Sequence, residues 1–166
     1  MVKQKIEMLL EIHKASSVPL YSVMNGITEI HANWRPTSES RSVNQIIRHL
    51  IRVDNYFLQR LNQEQEYNDP VDGKAYETTE ALKNIHQQIQ NLISNCADDS
   101  ELFLKSSIND ADDGDTINNH ILHSCQHNLY HLSQVIYLRR ALDRQWESPL
   151  SEWDYATRVI AKYLLQ

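Results

Sequence analysis

The stretch Asp115–Leu142, DTINNHILHSCQHNLYHLSQVIYLRRAL, constrains this chain more than any other. No proline or glycine interrupts it. Ile117, Ile121, Leu122, Leu129, Leu132, Val135, Ile136 and Leu142 recur at three-, four- and seven-residue spacings, the period of an amphipathic helix. Such a helix cannot bury its apolar face alone, so the rest of the chain must supply partners for it. The same stretch carries four of the eight histidines: His120, His123, His127 and His131. At about 100° per residue they project within a sector of about 80°, beside the apolar face and not opposite it. His127 and His131 stand one turn apart on one face. Two ring nitrogens at that spacing can meet one metal ion, and a third ligand has to come from another helix.

Three other segments offer partners. Lys3 to about Asn25 reads as a first helix, with Ile6, Leu9, Leu10, Ile12, Leu20, Val23 and Met24 turned inward. Pro19 should kink or interrupt it, and Gly26 should end it. Ser42-Val43-Asn44-Gln45 fits a capping box and opens a second helix to about Asn62, striped by Val43, Ile46, Leu50, Val53, Phe57 and Leu61. Thr78 or Thr79 is the expected cap of a third helix, which runs to about Asn95 with Leu82, Ile85, Ile89, Leu92 and Ile93 as its core face. The histidine-bearing stretch is then the fourth. Ser148-Pro149 should begin a short last helix through Leu165, proline being favoured at the first helical position. Between these lie a connector over 27–40, a polar loop over 63–77 with Pro70 and Gly73, and an acidic linker over 98–115. The expected fold class is all-α, a four-helix bundle with a short additional C-terminal helix, in a single domain over residues 1–166.

Charge and cysteine usage exclude several functions. The net charge is −6 and the basic residues form no run, which speaks against a nucleic-acid partner. Cys96 and Cys125 form no CxxC, so neither a zinc ribbon nor a disulfide framework is expected. No apolar run approaches the roughly 20 residues of a membrane span, and the N-terminus lacks an apolar signal core. The default expectation is a reduced, cytoplasmic protein that neither crosses nor needs a membrane.

The chemistry concentrates on three side chains. His49 sits at the edge of the second helix's stripe, as His127 and His131 do on theirs. Three neutral imidazoles from two helices can hold a divalent metal and leave a fourth position open, the arrangement of a catalytic site. There the metal could activate water towards a pKa of about 7, or bind a thiolate. Against this stands the ordinary role of a histidine beside an apolar stripe, a hydrogen-bonded residue at a helix interface. The chain has no HExxH and no Glu-x-x-His of the kind di-iron bundles use. His123, one turn before His127, could support a ligand from behind or serve as an alternative one. Gln45 and Gln134 could orient the ligands, and Cys125 reads as a buried structural thiol. His120, Arg48 and Arg52 read as solvated. Tyr130, Tyr137, Trp146 and Trp153 read as packing or dimer residues.

Two segments carry a resemblance. Trp34-Arg35-Pro36 followed by RSVNQIIRHLIRVDNYFLQRL to Leu61 resembles the second-helix signature of the DinB/YfiT family, a Trp-x-Pro connector before a helix bearing His-Leu. His127-Asn-Leu-Tyr-His131-Leu-Ser-Gln134-Val135 is similar to that family's fourth-helix signature, H-x3-H-x-x-Q-[IV], with Ser133 where the family often has Gly. The motifs occur in the family's order, and the helix count agrees over nearly the whole chain. The resemblance implies a bundle, usually dimeric, whose metal, nickel or zinc, is held by the matches to His49, His127 and His131. It implies a metal-dependent enzyme acting on a small molecule, foremost an S-transferase using a low-molecular-weight thiol such as bacillithiol or mycothiol. A metal-dependent hydrolase and a non-catalytic metal-containing binding module remain the alternatives, and the substrate contacts fall in loops without a motif.

Overall fold

The computed structural model describes residues 3–61, 74–106 and 114–149. Over these the chain forms α1 (Gln4–Met24), α2 (Glu29–Asn33), α3 (Val43–Arg60), α4 (Ala75–Asn95) and α5 (Ile117–Leu142), with a single 3-10 turn at Glu101–Phe103. Among the described residues extended pairing is confined to one bridge, Lys105 to Thr116. The expected second, third and fourth helices are α3, α4 and α5. The four long helices form a bundle in which α1 and α3 each pack against both α4 and α5. Leu20, Ile47, Leu82, Ile89, Ile93, Ile121 and Val135 are fully buried at its centre. Each such side chain contributes roughly 1.5–3 kcal/mol relative to exposure. Residues 150–166, which hold most of the expected C-terminal helix and Trp153, lie outside the described residues, as do residues 107–113 of the acidic linker and 63–73 of the polar loop.

The ends of the helices show which local signals act. Ser42 Oγ accepts from the Gln45 N–H, and Gln45 Oε1 accepts from the Ser42 N–H at 2.9 Å, so the expected capping box opens α3. This occupies Gln45, which is therefore a cap and not a residue that orients a histidine. α4 begins three residues earlier than Thr78. Glu77 Oε2 accepts from the Lys74 N–H at 2.8 Å, and Glu29 Oε1, from α2, accepts from the Ala75 N–H at 2.7 Å. Thr78 and Thr79 lie inside the helix and donate back to the Lys74 and Ala75 carbonyls. The start of α1 is capped from a distance: the Asp99 carboxylate accepts from the Lys5 and Ile6 N–H groups at 3.1 Å. α1 runs unbroken through Pro19, and Gly26, at φ 66°, turns the chain out of it. Arg139 of α5 then donates to the Val23 and Asn25 carbonyls at this end, its guanidinium 4.3 Å from the Trp146 ring centre.

The connector over 27–40 is not featureless. Thr28 Oγ1 accepts from the His31 N–H and starts α2, and Asn44 Nδ2 donates to Asn33 Oδ1, which ties α2 to α3. This fixes the path of Trp34-Arg35-Pro36 towards the start of α3. His120, expected in solvent, is instead largely buried: its Nε2 lies 2.8 Å from Asp115 Oδ1, and Arg60 pairs with the same carboxylate. Leu122, expected inward, faces out.

The core also holds a polar network joining all four long helices. Asp54 of α3 is 1% exposed and His86 of α4 fully buried, with Oδ2 and Nε2 3.1 Å apart. The Tyr21 hydroxyl, from α1, lies 2.6 Å from His86 Nδ1 and donates to it when the ring proton faces Asp54. The Asn128 amide of α5 lies 3.5 Å from the other ring nitrogen. His13 packs edge-on to His86, ring centres 5.2 Å apart. Burial, with His86 close by, pushes His13 down to about 3, so it stays neutral near pH 7.

Candidate metal centre

His49 projects from the middle of α3, beside the buried Ile46 and Leu50, towards α5. His127 and His131 project from α5, and all three rings meet. His127 Nε2 lies 3.2 Å from His49 Nε2 and 3.0 Å from His131 Nε2. All three residues offer ring nitrogens within 4.8 Å of one another, a group that could hold a metal ion. The rings stand steeply to each other, with interplanar angles of 87°, 82° and 66°. They converge edge to edge, as ligands do, and do not stack.

A hydrogen bond can join two of these nitrogens but does not account for all three meeting. Gln134 Oε1 accepts from His131 Nδ1 at 2.7 Å. That contact places the ring proton on Nδ1, and His131 Nε2 is then a bare lone pair in the neutral ring. His127 Nε2 carries at most one proton and cannot donate to both neighbours. Tetrahedral vertices around a metal with bonds of about 2.0–2.1 Å lie about 3.3–3.4 Å apart, close to the two short separations here.

The electrostatics favour the same state. Burial, then the neighbouring His131 and His49, push His127 down to about 4. His49 is lowered by burial and next by Arg41. His131 is lowered by burial, against the opposing effect of Gln134. All three are therefore neutral at pH 7, the form that donates a lone pair to a metal.

The remaining residues sort themselves around this triad. His123 is exposed and outside the converging group; its ring sits 5.9 Å from that of His127 and 5.1 Å from Phe57. Cys125 is buried on another face of α5, its thiol pushed up to about 12 by burial, which makes it inert. The triad opens into a cavity of about 670 Å³ between α3, α5 and the 36–41 connector. Ile46 of α3 and Leu138 of α5 supply its apolar lining. Tyr130 and Tyr137 line it too, and so does Arg41, which the sequence reading passed over. Its only local signal is its place immediately before the Ser42 cap.

A family model described as the DinB superfamily matches residues 19–135, more than half of the chain and inclusive of all three histidines. The chain belongs to the DinB superfamily. This is a metal-binding superfamily, and the three-imidazole group is compatible with that property. No curated protein matches the chain. Membership agrees with the all-α bundle. Among the described residues no helix is long and apolar enough to cross a membrane.

Proposed function

We propose that Nε2 of His49, His127 and His131 hold one divalent metal ion, nickel or zinc, and that the chain is a metal-dependent thiol S-transferase. The observation that carries the metal is the convergence of three neutral imidazole nitrogens at the floor of an open cavity. When bound, such an ion supplies Lewis acidity and lowers the pKa of a thiol or water at its remaining position. The chain's own groups do the rest. Gln134 holds the His131 proton at Nδ1 and turns the other nitrogen to the ion. Ile46 and Leu138 line the same cavity and limit water around the reacting atoms. In the transfer, the thiol loses its proton to solvent and its sulfur bonds to an electrophilic carbon. The leaving group departs with the electron pair of the broken bond.

The choice of thiol over water rests on the family resemblance and on one absence: among the described residues lining the cavity there is no carboxylate. A water nucleophile is commonly helped by such a base, whereas a thiol of pKa about 8.5 needs less activation. Monochlorobimane offered with bacillithiol, glutathione or coenzyme A tests this. Metal-loaded protein should form the thioether, and chelated protein should not. Metal-dependent hydrolysis of an ester panel without thiol would favour the hydrolase, and metal-dependent thiol binding without product would favour a binding module.

The lowered histidine pKa values set the pH range. Protons compete with metal only when the imidazoles take them up, and a lowered pKa moves that competition to more acidic solution. Metal content, measured after dialysis at stepped pH, should hold through the free-histidine value of about 6.5 and fall only in more acidic solution, because all three imidazoles are lowered by burial. Half-release at pH 6.5 or above would contradict the three-imidazole sphere.

A further inference from the structure

The chain carries 22 acidic and 16 basic residues, yet no acidic residue among those described lines the cavity above the triad. Arg41 does. It is exposed, and the ion pairs among the described residues do not involve it. In a protein of net charge −6, a guanidinium with no carboxylate partner among the described residues, beside three metal-competent imidazoles, creates a local positive field in a concave site. Arg41 is also held in place: it directly precedes Ser42, whose backbone and side chain are fixed by the capping box of α3. On the α5 side stand Tyr130 and Tyr137, two turns apart and 60% and 68% exposed. They offer aromatic faces to an apolar body. A volume of about 670 Å³ suits a small molecule, since such sites span roughly 300–1,000 Å³.

We propose that the cavity selects small carboxylates with an apolar or aromatic body, and that Arg41 binds the carboxylate group. This rests on the cavity being the substrate site of the three-histidine centre. A single guanidinium matches one planar carboxylate in its fork, whereas a phosphate dianion normally draws on several cations or a glycine-rich nest. Arg41 is thus a specificity residue for the anionic end of the substrate, with Tyr130 and Tyr137 taking the apolar end.

The test is calorimetric titration of metal-loaded protein with phenylacetate, its neutral isostere phenylacetamide, and phenyl phosphate at low ionic strength. Phenylacetate should bind about tenfold more tightly than the amide, the effect of one charge-assisted contact. In Arg41→Gln the ratio should approach one while amide affinity stays unchanged. Arg41→Lys should fall between, because the charge remains and the fork is lost. Circular dichroism of both variants should match the wild type, as the side chain is exposed. The same titrations after chelation separate the guanidinium from the metal: an Arg41-dependent preference that persists supports the assignment. A preference equal in wild type and Arg41→Gln and lost on chelation would overturn it and assign the anion to the metal, leaving the three-histidine reading intact. Tighter binding of phenyl phosphate would overturn the carboxylate class. Failure of all three probes to bind at millimolar concentration would overturn the proposal as a whole. The metal content of the wild type, measured on the same samples, shows independently whether the metal reading stands.

Discussion

His127→Ala should leave a folded bundle that no longer holds metal at one ion per chain. His127 Nε2 sits between the other two nitrogens, 3.2 Å and 3.0 Å from them, so its loss dismantles the group and does not merely trim it. The affinity should drop by more than the roughly 10–100-fold typical of changes to supporting residues. Gln134→Ala, which frees the His131 ring without removing a donor, should fall within that 10–100-fold window. His123→Ala should keep its metal, because His123 lies outside the converging group. A thermal consequence follows by linkage: at 100-fold excess over Kd, metal stabilises a binding fold by about 2.7 kcal/mol, and His127→Ala should not respond to added metal. Elemental analysis together with metal-dependent melting decides the matter. A full ion per chain in the variant would sink the assignment.

Asp54→Ala should be the most damaging single substitution outside the apolar core. The carboxylate is buried against His86, which in turn takes the Tyr21 hydroxyl. Removing one partner of a buried pair costs about 3–5 kcal/mol, or roughly 6–20 °C in Tm for a domain of this size. The loss lands on groups from α1, α4 and α5 at once, because Tyr21, His86 and Asn128 all adjust to it. Replacing both Asp54 and His86 by leucine should recover part of the stability, since neither half of the pair is then left behind, although the Tyr21 hydroxyl and the Asn128 amide lose the imidazole they face. Denaturant titrations of the two single variants and the double variant give the coupling directly. Additive losses, or a single-variant loss below about 1 kcal/mol, would show that the pair is not a stabilising unit.

What the sequence revealed and what it hid divide along a physical line. The α3 capping box, the apolar stripes and the placing of three histidines beside them depend on spacing within one helix, and spacing is visible in sequence. The start of α4 was misplaced because one of its two caps, Glu29, comes from α2, while Thr78 and Thr79 look like caps but bond backwards inside the helix. Asp54 and His86 were passed over for the same reason. Each reads as a polar residue in an amphipathic helix, and only the other's presence in space makes burial tolerable. A weak trace was there: His13, Asp54 and His86 stand at core register, four residues after Leu9, Leu50 and Leu82. Arg41 had no trace of that kind, since a cavity is a property of packed helices.

The three imidazoles are split between two helices, with His49 and His127 separated by 78 positions in the chain. That division dictates an order of assembly. An extended or half-formed chain presents at most the His127–His131 pair on a nascent α5, a weak two-donor site. The third nitrogen arrives only once α3 has docked against α5. On the proposed reading, the bundle must close on its apolar surfaces before an ion can take all three nitrogens, and the ion would then select the finished form. Scarcity of metal during synthesis would then leave behind intact but empty protein, ready to be filled, and not an unfolded chain waiting for its nucleus.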